Sequence, residues 1–217
     1  MRTLYILLVL SVILAVALLV LSFVYFAKTA HENLYYIVHV NNIPWGEVEI
    51  DRYATEGNII YKSREYLPSE IGLNRTNSKL VLDRQNLTLK EYEEEVSDEM
   101  TKELYYLKRT PDGVSFLAIA KSKFASLNNI EVKKNVLPFR RNFVATWAPF
   151  IRQYNYHRGG AQSFNVVEYK QSLLPPRKRT ITLTSIRDEY IDVDNRKVKT
   201  ECLLLKERGE EQFFVWV

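Results

Sequence analysis

From residue 4 to residue 26 the chain reads LYILLVLSVILAVALLVLSFVYF, without a charge and with only Ser11 and Ser22 among its aliphatic and aromatic side chains. At 1.5 Å per residue a helix of this length reaches roughly 34 Å, enough to cross a hydrocarbon core of about 30 Å. Lipid offers no partner for a backbone N–H or C=O, so the run has to be helical. Tyr5 at one end, with Phe23, Tyr25 and Phe26 at the other, suits the two interfaces. A cleaved leader would have an apolar stretch of about 7–15 residues followed by small residues at −3 and −1. Cutting after Ala27 or Ala30 puts Tyr25 or Lys28 at −3, and no lipid-modifiable cysteine follows. The expectation is a retained signal anchor over residues 1–30, single-pass in a plasma (inner) membrane. Arg2 and the α-amino group oppose Lys28 across the span, which leans the N-terminus inward and places residues 31–217 outside the cytoplasm.

The remainder is long enough for one domain with its own core. A net charge of +4 with interspersed signs lacks the concentrated basic face that nucleic acid requires. The single cysteine, Cys202, excludes an intrachain disulfide framework and a cysteine-rich zinc site, and its setting in TECLLL suits a small buried residue.

Hairpin patterning dominates this part. LYYIVHV is β-branched and aromatic, and NNIPWG reads as a turn through Asn41, Asn42, Pro44 and Gly46. GEVEIDRY then alternates with period 2. NIIYKSREY and SKLVLD follow as strands. Residues 88–103 satisfy two patterns. Thr88 and Glu91 have capping-box spacing, whereas Tyr92 and Val96 share a strand face with glutamates on the solvent side. The local pattern favours the helix, and only the family resemblance described below tips the reading to strand. ELYYLKR–TPDG–VSFLAIAK is the clearest hairpin.

Residues 122–160 are less regular. Within them Phe143, Trp147, Phe150, Ile151 and Tyr154 fall at helical spacing, with Pro149 expected near the start of a turn and Gly159-Gly160 ending it. These five residues are the candidate ligand-binding set, because an apolar helix flanked by long connections resembles a lid over a concave sheet. AQSFNVVEY, TITLTSI, YIDVD, KVKTECLLLK and QFFVWV complete about ten strands, which predicts a mostly-β antiparallel sheet curling around one short helix. Residues 212–217 read as a strand buried on both faces, so the expectation is a chain truncated before a further covering element, or a partner strand supplied in trans.

Nothing in the chain spells out a reaction. His31, His39 and His157 have no second imidazole at i+3 or i+4, and neither a G-x-S-x-G elbow nor a phosphate-cradling loop occurs. Asp188, Glu189, Asp192 and Asp194 lack a calcium-loop spacing and read as a polar turn. Lys133, Lys134, Arg140 and Arg141, and separately Arg177, Lys178 and Arg179, read as solubilising surface. The chain is therefore expected to be no enzyme, with neither cofactor nor metal.

YIVHVNNIPWGEVEI, the strand series after it, the aromatic crossing ending in YHRGG, and the ladder IDVDNRKVKTECLLLK…QFFVWV together resemble bacterial cell-envelope β-domains of unknown function. In plan these are similar to lipoprotein-carrier (LolA/LolB-like) half-barrels. The resemblance spans residues 34–217 and implies a curved sheet with an apolar cavity for a lipid, an acyl chain or an extended hydrophobic partner segment. A transmembrane anchor departs from that family, since a tethered protein cannot ferry cargo. The alternative function is a non-catalytic structural or assembly module that packs against another envelope protein. A void of several hundred Å³ behind Phe143, Trp147 and Ile151 would separate the two.

Overall fold

A computed structural model describes residues 31–40, 43–69, 72–98, 101–120, 123–132, 136–140, 144–169, 175–193, 196–207 and 212–216. The apolar run at residues 4–26, Phe143, and the basic residues Lys133, Lys134 and Arg141 lie outside these. Among the described residues no helix is long and apolar enough to cross a membrane.

Eight strands form one antiparallel meander, each paired with the next in sequence: β1 (His31–Val40), β2 (Ile43–Ala54), β3 (Asn58–Ser69), β4 (Gly72–Asp83), β5 (Leu89–Ser97), β6 (Lys102–Thr110), β7 (Gly113–Ala120) and β8 (Lys123–Ile130). Period-2 alternation fixes its faces. Val48 and Ile50, Tyr61, Leu80 and Leu82, Tyr92 and Val96, Leu107, and Val114 and Phe116 turn inward and are buried. A second, five-stranded sheet has the order β13–β12–β11–β10–β9. It comprises β9 (Val136–Phe139), β10 (Ala161–Glu168), β11 (Arg177–Val193), β12 (Arg196–Glu207) and β13 (Gln212–Trp216). One hydrophobic core joins the inner faces of both sheets.

The mostly-β, antiparallel reading holds, with one short helix, and the ambiguous stretch is strand: residues 89–97 are β5. Three expectations change. The irregular passage contains two strands, β8 and β9, and β9 pairs with β10 in parallel. A parallel pair needs a crossover, and its described part, residues 144–160, holds a 3-10 turn at Val144–Thr146 and helix α1 (Ala148–Gln153). TITLTSI and YIDVD are not separate strands. They belong to the single seventeen-residue β11, which bends at a register shift between Ser185 and Arg187 that leaves Ile186 exposed. The last strand is not buried on both faces. Val215 is covered by the core, while Phe214 and Trp216 alternate onto the outer face, where they are exposed and Trp216 donates its indole N–H to Glu189.

Candidate functional site

The five-residue set divides. Phe143 lies outside the described residues. Trp147, Phe150, Ile151 and Tyr154 do come together, on and beside α1, and all four are buried in the shared core. Trp147 caps the helix, Pro149 sits in its first turn where a missing N–H is harmless, and the Phe150 ring packs against Phe139 and Phe164 at centroid separations of 6.2 and 5.7 Å. Tyr154 donates its hydroxyl to the Gly160 carbonyl at 2.8 Å and accepts the Ser185 N–H at 3.0 Å, tying the crossover to β11. These side chains pack between the sheets.

Next to them is a buried polar knot that pattern reading missed. β5 turns Tyr92, Glu94 and Val96 to the inside, so one member of the glutamate run is internal while Glu91, Glu93 and Glu95 face outward. The Tyr92 hydroxyl donates to Glu94 Oε2 at 2.7 Å. The Tyr169 hydroxyl, from just past β10, lies 2.8 Å from that of Tyr92 and also against Glu94 Oε2. Arg140, at the end of β9, donates to Glu94 Oε1, so a residue read as solubilising surface is half of a buried ion pair. The Tyr92 and Tyr105 rings stack at 5.8 and 5.7 Å from Tyr169, and Tyr105 donates to Glu103 at 2.6 Å. Burial is the first cause holding all three phenols above their ordinary range; the Glu103 carboxylate adds to this at Tyr105, and the Arg140 charge opposes it at Tyr92 and Tyr169. Parity with Tyr92 and Val96 was the signal available for Glu94; for Arg140 and Tyr169 no local pattern existed.

On the opposite side of the same strands the outer face of the meander holds an open depression of about 540 Å³, lined by β2–β6 and by none of the aromatic helix residues. Two cross-strand rows make its walls. One runs Glu49–Arg64–Asn77–Glu95 and the other Asp51–Lys62–Lys79–Glu93, each residue directly opposite the next. Between them lie Ser63, Ser78 and Glu94, whose side chains turn to the inner face, where Ser63 and Ser78 share a hydrogen bond of 2.6 Å. Leu104 and Tyr106 of β6 close one end. Ion pairs here differ in closeness: Arg64 to Glu49 at 3.5 Å and Lys79 to Glu91 at 3.6 Å are loose, whereas Glu95 is held by Lys102 of β6 at 2.8 Å. Lys62 sits 5.6 Å from the centre of the Tyr53 ring. Desolvation, then the neighbouring Glu91, raises the Glu93 carboxyl above its usual range.

Elsewhere Asp188, Glu189 and Asp192 are polar surface, and Asp194 lies outside the described residues. Asp188 pairs with Lys199 at 2.7 Å and Glu189 with Arg187 at 3.1 Å, and no metal-holding group of His, Cys, Asp or Glu occurs among the described residues. Arg179 pairs with Glu168 at 3.1 Å, and Cys202 is buried. The chain matches no family model, no curated protein and no solved structure.

Proposed function

We propose that this chain is a membrane-tethered, non-catalytic assembly module of the cell envelope, which meets a partner protein on the outer face of its eight-stranded meander. One observation carries the reading: among the described residues an accessible, charged depression of about 540 Å³ lies on that face, whereas Trp147, Phe150, Ile151 and Tyr154 are buried in the core. Partner recognition on a wet, polar surface needs complementary charge more than apolar area. The uncharged run at residues 4–26 supports an N-terminal span with the β domain outside the cytoplasm. The likeness in plan to lipoprotein-carrier half-barrels supports an envelope setting. Their apolar cargo fits less well, because an acyl chain would have to displace packed side chains at close to crystal density.

Photo-crosslinking in native membranes tests this reading. With p-benzoylphenylalanine at position 106, beside the depression, a discrete protein adduct is expected; at position 147 none is expected to protein or lipid. Lipid adducts at position 147, with one acyl ligand retained per purified chain by mass spectrometry, would overturn it in favour of apolar-ligand binding.

A further inference from the structure

The outer face of the meander is sorted by sign, strand by strand. β2 presents Glu47, Glu49 and Asp51, β3 presents Lys62 and Arg64, β4 presents Asn77 and Lys79, and β5 presents Glu91, Glu93 and Glu95. A surface built only for its own stability would alternate, since opposite charges facing across strands stabilise and like charges facing each other do the reverse. Here the order across four strands is acid, base, base, acid. The break falls in the middle of the depression, where Lys62 stands directly opposite Lys79. Two cations side by side on central strands, with Lys79 held only by a 3.6 Å ion pair to Glu91, form a position that an incoming anion would relieve. The carboxylates of β2 and β5 would then meet cations on either side of it.

We infer that the depression receives an extended segment of a partner protein with the pattern cation–x–anion–x–cation, lying across the strands. This rests on the assembly reading above and names the partner chemistry. Spacing and sign agree. Three strand steps of about 4.8 Å put β2 and β5 roughly 14 Å apart, with the β3–β4 pair midway at about 7 Å. In an extended chain, side chains on one face recur every two residues, about 6.7 Å, so positions i, i+2 and i+4 cover about 13 Å. The first cation falls over Glu49 and Asp51, the anion over Lys62, Arg64 and Lys79, and the second cation over Glu93, since Glu95 is already paired with Lys102. Asn77, between the charged groups, can donate to or accept from the peptide backbone.

The test uses the full chain in detergent micelles and a fluorescein-labelled, end-blocked peptide Lys-Thr-Glu-Thr-Lys, read by fluorescence polarisation. Saturable binding at low ionic strength is expected, weakening by about tenfold when salt shortens the screening length below the spacing of the charges. The inverted peptide Glu-Thr-Lys-Thr-Glu is expected to bind about tenfold more weakly, since it sets like charges together at all three positions. The double substitution Lys62→Glu and Lys79→Glu, with its strand circular dichroism unchanged, should abolish discrimination between the peptides, while Lys197→Glu on the other sheet should preserve it. Equal affinity for both peptides, or no binding by the folded chain, overturns the inference. Displacement by free phosphoethanolamine at equal concentration also overturns it and assigns the recess to a lipid headgroup. If the peptide fails while position 106 still forms its protein adduct, the assembly reading stands and only the segment is wrong. Absence of protein adducts at every outer-face position removes both.

Discussion

Burial keeps the phenol protons of Tyr92, Tyr105 and Tyr169 bound beyond the ordinary tyrosine value of 10.0, and the three rings meet between the two sheets. An unfolded chain releases those protons near pH 10 while the folded chain retains them. Stability from this source is therefore complete below about pH 10 and falls as pH rises towards the folded-state values, by up to about 1.4 kcal/mol per pH unit for each phenol that remains suppressed. Tyr169→Phe should cost about 1 kcal/mol at neutral pH through its lost hydrogen bonds, and should also make the alkaline loss shallower. Urea midpoints from pH 7 to about 11.5 measure both effects. Identical alkaline slopes in the two proteins would show that the knot does not control the titration. Little of this was legible in the chain. Tyr92 was recognised as an inward strand residue, yet its partners Arg140 and Tyr169 lie far along the sequence, and long-range hydrogen bonding leaves no periodic trace.

Among the elements, the hairpins were legible wherever one face is buried, because a one-residue slip would turn every apolar side chain to water. That is why residues 102–120 read as a hairpin, whereas the local pattern of β5 favours a helix and only the family resemblance points to the strand. Errors arose where turn residues lie inside strands. Pro44 and Gly46 read as turn chemistry, but both belong to β2, opposite a register shift between Val38 and His39. Gly46 is there for closeness. A Cβ at this position would overlap the Leu67 side chain and come within 2.6 Å of the Tyr66 carbonyl oxygen on β3. Leu67 can turn away, whereas the backbone oxygen cannot move without disturbing the β2–β3 pairing. Gly46→Ala should therefore cost about 1–3 kcal/mol, the range for overpacked sites, even though Ala has the better strand preference. Thermal unfolding of the variant checks this. An unchanged midpoint would mean that β2 can shift at no cost. Gly57, with open space around its would-be Cβ, is the control and should accept Ala with little effect.

For the whole molecule, sequence patterning established a mostly-β chain with one short helix, but not the division into two sheets. Strand periodicity reports which side chains are buried and says nothing about which strands are neighbours. The parallel β9–β10 pair was invisible for the same reason, and β9, buried along all four residues, has no alternation to detect. Its consequence is cooperativity. The inner face of the meander, including Tyr92, Leu107, Val114 and Phe116, shares one core with Phe150 of α1 and with Val166, Ile181, Leu183, Leu203 and Leu205 of the second sheet. Glu94 of β5 is bonded to Arg140 after β9 and lies against Tyr169 after β10, so the ion pair also crosses between the sheets. Removing one sheet would expose the apolar face of the other, at about 25 cal/mol for each Å² returned to water, and would strand a carboxylate that folding had taken out of solvent. Residues 31–217 should consequently unfold in one step, with far- and near-ultraviolet circular dichroism following the same urea curve. Native-state hydrogen exchange of β6 and β11 should report the same opening free energy. If β1–β8 kept protected amides after β9–β13 had exchanged, the two sheets would be separate folding units, and the shared core could not be what holds either of them together.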